Sequence, residues 1–222
     1  MKTIMEQNRR APLATAAIVI LPALILLALP GVGRAGKFNR ALNIGDQAPN
    51  WSGLEGIDGR RRGLADFADA RLVVLVFTCN HCPVATANQG RLIALQKDFA
   101  ARGVQLVALC SNPGDEDDLP AMKERAETAG FNFPYLRDAD QAAAHAYGAT
   151  KTPTALVLDG DRKVRYMGAI DDHWQDAAEV ERDYLRDAVE ALLAGQQVPI
   201  RETRPQGCEI PRAESKTSPA KR

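Results

Sequence analysis

Leu72-Val73-Val74-Leu75-Val76-Phe77-Thr78-Cys79-Asn80-His81-Cys82-Pro83 decides how this chain is read. Its first six residues are apolar and mostly β-branched, the pattern of a strand buried on both faces. A helical pattern follows, from Val84 to about Arg102. The two cysteines, three apart, therefore fall where a buried strand hands over to a helix start. Such a start offers unpaired N–H groups and the positive end of a dipole. Both favour a thiolate, the species that attacks disulfides. Cys79 is read as that thiolate, and Cys82 is close enough to close a disulfide with it. A structural zinc site would need two further ligands. Cys110 and Cys208 stand singly, with no second Cys-x-x-Cys, so no metal is assigned. A structural disulfide is the other plain reading, and the strand-turn-helix setting favours redox chemistry over it.

Working outward, 222 residues with 28 basic and 28 acidic side chains make an ordinary globular composition. A balanced charge gives no reason to expect nucleic acid as a partner. Four cysteines are too few for a disulfide scaffold of this size. No nucleotide, flavin or haem motif is visible, so no cofactor is expected. At the start, Lys2, Arg9 and Arg10 precede an apolar stretch from Ala11 to Leu29, and Pro30-Gly31-Val32-Gly33-Arg34-Ala35 breaks it. This describes a signal peptide cut after Ala35, or an uncleaved anchor near the roughly 20 residues that span a bilayer. Either places the rest outside the cytoplasm, in the periplasm or an equivalent compartment. Residues 1–35 are thus the targeting segment, 36–198 the folded domain, and 199–222 a loosely held tail rich in Pro, Arg, Glu, Ser and Lys.

Within the domain, Asp58-Gly59 signals a hairpin turn. Arg71 to Thr78 and Val104 to Cys110 are core strands. Gly103, Gly130, Gly148 and Gly195 mark helix ends. Thr154–Leu158 and 163–168 form a second hairpin around Asp159-Gly160-Asp161, and a last helix spans about Asp176 to Ala194, burying Val180, Tyr184, Ala188, Val189 and Leu192. The order is hairpin, then β-α-β-α-(β)-α-β-β-α: an α/β fold with a central mixed sheet flanked by helices.

That order, with Cys-x-x-Cys after the first core strand and Thr152-Pro153 before the second hairpin, resembles the thioredoxin fold. The closer similarity is to redoxins of the alkyl hydroperoxide reductase/thiol-specific antioxidant (AhpC/TSA) type, over about Asn43 to Ile210. Gly45-Asp46-Gln47-Ala48-Pro49 looks like their opening motif, and Phe77-Thr78-Cys79-Asn80-His81-Cys82-Pro83-Val84-Ala85 looks like the core of a peroxiredoxin-like subgroup. The resemblance implies a thiol–disulfide oxidoreductase acting on protein thiols or disulfides. Cys79 would attack and Cys82 resolve, with His81 and Thr78 tuning the pair. It also implies a cis bond at Pro153, with the Thr152 backbone open to an extended substrate chain. Lys151 precedes that loop, and its charge could aid a thiolate or face water. A second implied reading is a peroxidase acting on hydroperoxides through Cys79, with Cys82 or the accessory thiol Cys208 resolving. The chain departs from the peroxide-pocket pattern Pro-x-x-x-Thr/Ser-x-x-Cys, carrying Leu72 and Val76 before Cys79. It also lacks the buried acid that thioredoxins carry in the strand before the dithiol. A third reading, a copper carrier, would add His173 to the two cysteines. Cys110 is read as a small buried hydrophobe and His145 as a surface residue.

Overall fold

The structure is a computed structural model and describes residues 36–212. Residues 1–35, expected to be a signal peptide or anchor, and the last ten residues lie outside the described residues. Among the described residues no helix is long and apolar enough to cross a membrane.

A seven-stranded mixed sheet runs in the order β2-β1-β5-β4-β3-β7-β8. At its centre β3 (Leu72–Thr78) pairs in parallel with β4 (Val104–Cys110), which pairs in parallel with β5 (Tyr135–Arg137). Antiparallel hairpins close both edges. One is β1 (Leu54–Gly56) with β2 (Arg61–Arg62), turning at the expected Asp58-Gly59; the other is β7 (Thr154–Leu158) with β8 (Val164–Gly168). At the first turn a bidentate ion pair with Arg62 holds the Asp58 carboxyl well below the usual carboxylate range.

Successive strand residues point to opposite faces, so β3 divides its side chains between two cores. Leu72, Val74 and Val76 pack with α1 (Pro83–Phe99), α2 (Leu119–Ala129) and α4 (Tyr184–Leu193). Val73, Leu75 and Phe77 pack with α3 (Ala142–Tyr147) and with Leu42, Trp51 and Phe67. Burial on both faces is why β3 reads as an unbroken apolar run.

Two expectations need correction. The last helix does not begin near Asp176. A short 3-10 turn occupies Ala177–Glu179, and the helix starts at Tyr184, where the Asp183 carboxylate caps the Arg186 N–H at 3.1 Å. The Asp172 N–H and carboxylate bind Arg182 and Glu181, holding the chain between the two pieces out of the helix. Val180, expected in the core, is therefore only half-buried. The chain after Val198, expected to be loose, is tied down as far as Pro211. Arg201 and Thr203 exchange backbone hydrogen bonds with Met167. The Glu202 carboxylate accepts the N–H groups of Lys37, Phe38 and Asn39. Cys208–Glu209 forms a strand, β9, antiparallel to β6 (Lys151–Thr152).

Candidate active site

The site grows from the C-terminal end of β3. Thr78 is the last strand residue, buried opposite Cys110 of β4. The chain then turns through Cys79-Asn80-His81 and enters α1 with Cys82 as N-cap and Pro83 in the first helical position. Proline lacks the N–H that a first turn cannot use, so it suits that position. The first helical hydrogen bond runs from the Thr86 N–H to the Cys82 carbonyl, at 2.9 Å.

Asn80 pins this turn. Its N–H donates to Asp117 Oδ1 at 2.7 Å, and its amide donates to the Glu116 carbonyl at 2.7 Å. Its side-chain oxygen accepts from the Tyr135 hydroxyl at 3.1 Å, and its carbonyl from Arg125 at 3.2 Å. Asp117 is fully buried, and its second oxygen lies 2.6 Å from His81 Nδ1. Asp117 is thus a buried acid beside the dithiol turn, although the strand itself carries none. It arrives from the loop after β4, where a run of four acidic residues reads simply as helix capping. Asp118 does cap α2, accepting the Ala121 N–H at 2.9 Å; its neighbour Asp117 faces the dithiol turn instead. Neither Asn80 nor Asp117 is singled out by sequence reasoning. An acidic residue beside a capping Asp was the available signal for the second.

Thr152 faces both sulfurs. Its Oγ1 lies 3.1 Å from Cys79 Sγ, and its carbonyl accepts from Cys82 Sγ at 3.1 Å. The Thr152–Pro153 bond is cis, as the resemblance implied. The Thr152 backbone is not open, however: β9 occupies it, placing Cys208 directly opposite Thr152. Cys208 packs against the core that holds Cys79 and Cys82. All four cysteines are free thiols.

The two sulfurs of the turn differ. Cys79 is 1 % exposed, and burial pushes its thiol up to about 12, aided by the negative charge of Asp117 and opposed by the Thr152 hydroxyl. Burial also works against ionisation of Cys82. There the hydrogen bonds from the Cys208 side chain and from the backbone of Ala85, Cys208 and Val84 outweigh it, and the thiol is lowered. The helix start therefore serves both sulfurs: the N-cap backbone at Cys82 assists Cys79, where burial prevails, and the backbone of Val84 and Ala85 assists Cys82. Cys208 is pushed up to about 11, mainly by its hydrogen bond to Cys82 and less by burial, with the Lys151 charge pulling the other way. Cys110 is wholly buried, as expected, and burial pushes it up to about 12.

The donor atoms of Cys79, His81 and Asp117 lie within 4.8 Å of one another, a spacing a metal ion could use. Both Asp117 oxygens are already engaged, by Asn80 and His81. His173 does not join the cysteines. Its ring meets the backbone of Asp176, and its carbonyl accepts from Arg91. The ligand set of the copper reading is therefore not assembled among the described residues. His145 is exposed on α3, as expected. Beside His81 lies an open cavity of about 340 Å³, lined by Asn80, Glu116, Glu124 and Arg125 among others.

A parallel strand, a two-thiol turn, a helix start and a facing cis-proline loop define a thioredoxin-like protein. The thioredoxin domain of a thiol-disulfide oxidoreductase from Bacteroides vulgatus has the same fold. It superimposes with a TM-score of 0.55 at 18% identity, over 68% of this chain and 99% of that one. Within that class the chain belongs to the AhpC/TSA family, whose model matches residues 44–167. It is 36% identical to an uncharacterized conserved protein of known structure from Geobacillus kaustophilus, with a TM-score of 0.74 over 80% of this chain and 96% of that one. It is also 27% identical over 160 residues to the thiol-disulfide oxidoreductase ResA of Bacillus subtilis (strain 168), spanning 72% of this chain and 85% of that one.

Proposed function

We propose that this protein is an exported thiol–disulfide oxidoreductase that exchanges disulfides with protein partners through Cys79 and Cys82. The observation that carries this reading is the convergence of both sulfurs on Thr152, each 3.1 Å from one of its oxygens, at the start of α1. The name of the Bacillus subtilis relative supports it. The targeting segment at residues 1–35 supports export, as a cleaved signal or a retained anchor.

In the exchange, the Cys79 thiolate attacks a partner disulfide and forms a mixed disulfide. Cys82 then displaces the partner and leaves a Cys79–Cys82 disulfide. His81 and Asp117 both stand within 4.8 Å of the Cys79 sulfur and are paired with each other at 2.6 Å. A protonated His81 pairs off the Asp117 charge that otherwise opposes the thiolate. A reversed order, with Cys82 attacking, is favoured by one observation: Cys82 is the sulfur whose ionisation the helix start and Cys208 assist. Trapping decides the order. With a partner disulfide and Cys208→Ser in the background, Cys82→Ser accumulates the adduct if Cys79 attacks; accumulation in Cys79→Ser establishes the reverse. Accumulation in neither removes the dithiol mechanism. Membership of the AhpC/TSA family keeps a hydroperoxide-reducing activity through Cys79 as the second reading.

A further inference from the structure

The last stretch of the described chain is built against the dithiol. Gly207 has φ +136°, and a Cβ there would lie 2.0 Å from the Thr152 carbonyl oxygen. Only glycine allows this approach. The next residue, Cys208, sits opposite Thr152 in the β6–β9 pair, and the Ile210 N–H closes the ladder on the Thr150 carbonyl at 2.9 Å. Directly opposed residues of an antiparallel pair point to the same face. The Thr152 hydroxyl points at Cys79, so the Cys208 thiol projects toward the same turn. Cys208 interacts directly with Cys82 and packs on the core that contains it. Downstream, the Gln141 amide holds the Pro211 carbonyl at 2.6 Å, so the strap is anchored on both sides of its cysteine.

We propose that Cys208 is a third redox thiol of the site, forming with Cys82 a disulfide that interconverts with Cys79–Cys82. The step rests on the dithiol reading above, in which a partner protein's disulfide supplies the oxidising equivalents. The Cys208 thiolate attacks Sγ of Cys82 in the Cys79–Cys82 disulfide. The Cys82–Cys208 bond forms, the Cys79–Cys82 bond breaks, and Cys79 leaves as a thiolate that takes up the proton Cys208 gave to solvent. No electrons are gained or lost in this isomerisation. Its product fixes the strap covalently over the turn while Cys79 is again a reduced thiol. The order differs from a tail cysteine resolving Cys79, because the sulfur in contact with Cys208 is that of Cys82.

The test is disulfide mapping on the full chain, equilibrated in mixtures of reduced and oxidised dithiothreitol, quenched in acid, alkylated and digested. In the wild type the expected products are the Cys79–Cys82 disulfide and a cross-link from Cys82 to Cys208 with Cys79 alkylated, localised by fragment ions. In Cys79→Ser, the Cys82–Cys208 form should exceed any intermolecular dimer at least about tenfold at micromolar protein, because tethered thiols meet at millimolar effective concentration. A cross-link from Cys208 to Cys79, dimers through Cys208, or no Cys82–Cys208 disulfide in either protein overturns the proposal. The wild-type measurement needs no variant to fold. Cys208→Ser separates the two readings. Loss of a Cys79–Cys82 disulfide there defeats the dithiol itself. Its retention, with no Cys82–Cys208 cross-link in the wild type, defeats the third thiol alone.

Discussion

Cys79 and Cys82 share one turn and one neighbour, Thr152, yet their surroundings act in opposite directions. The Cys79 pocket is made by long-range packing: burial and a carboxylate from the loop after β4 outweigh the hydroxyl of the cis-proline loop. It keeps the proton on sulfur. The Cys82 pocket is made by a helix start and by the end of the chain, and it eases the proton off. A dithiol motif thus fixes the spacing of two sulfurs and leaves their ionisation to elements far away in sequence.

The strongest way to break this contrast is to remove either sulfur. Cys79→Ser and Cys82→Ser should each lower the rate of release of the fully reduced partner protein at least about a hundredfold, because attack and resolution act as a unit. Next is the strap. Gly207→Val forces a side chain into the Thr152 carbonyl, so β9 should detach and uncover the dithiol. Alkylation of the reduced dithiol should then speed up by roughly tenfold, the cost of about 1.4 kcal/mol of closure. A rate unchanged from wild type would show that the strap does not guard the site. Substitutions beside Cys79 sharpen the comparison because they predict opposite signs. Asp117→Asn removes a charge that opposes the thiolate, so the reduced form gains and the potential rises, on the order of 30 mV for a tenfold effect. His81→Ala leaves the Asp117 charge unpaired and should lower the potential by a similar amount. An unchanged potential in His81→Ala would remove His81 from the tuning.

Stability in alkali is a separate readout of the same burial. Cys79 and Cys110 hold their protons up to about 12 in the folded chain, against about 8.5 for an open thiol. Between those values the folded state binds more protons than the unfolded one. The contribution is complete below about pH 8.5 and is lost as pH rises through 12, at no more than about 1.4 kcal/mol per pH unit for each thiol. Urea midpoints of the reduced protein at pH 8 and pH 10 measure it.

Local signals made the strand–turn–helix legible. β3 is apolar throughout because both its faces are covered. Gly103, Gly130 and Gly148 adopt the left-handed conformations that end helices. The pieces of the site that were not legible come from contacts without a sequence period. Asp117 lies in an acidic run whose composition speaks only of helix capping. Asn80 uses every polar group it has on partners 36 to 55 residues away. The chain from Arg201 to Pro211 is held by backbone pairing and by the Glu202 and Gln141 side chains. Its polar, proline-bearing composition therefore looks loose although its path is fixed. The missed start of α4 has the same origin: Asp183 caps the helix, while hydrogen bonds to Asp172 hold the preceding residues extended.

The central claim is that this site exchanges disulfides with proteins. It is tested most directly by the rate at which the reduced protein loses its thiols to an oxidised protein disulfide and, separately, to hydrogen peroxide at the same concentration. Rapid loss to the protein disulfide with slow loss to peroxide is the predicted result. A fast peroxide reaction abolished in Cys79→Ser, with sluggish disulfide exchange, would contradict the account and make the protein a peroxidase.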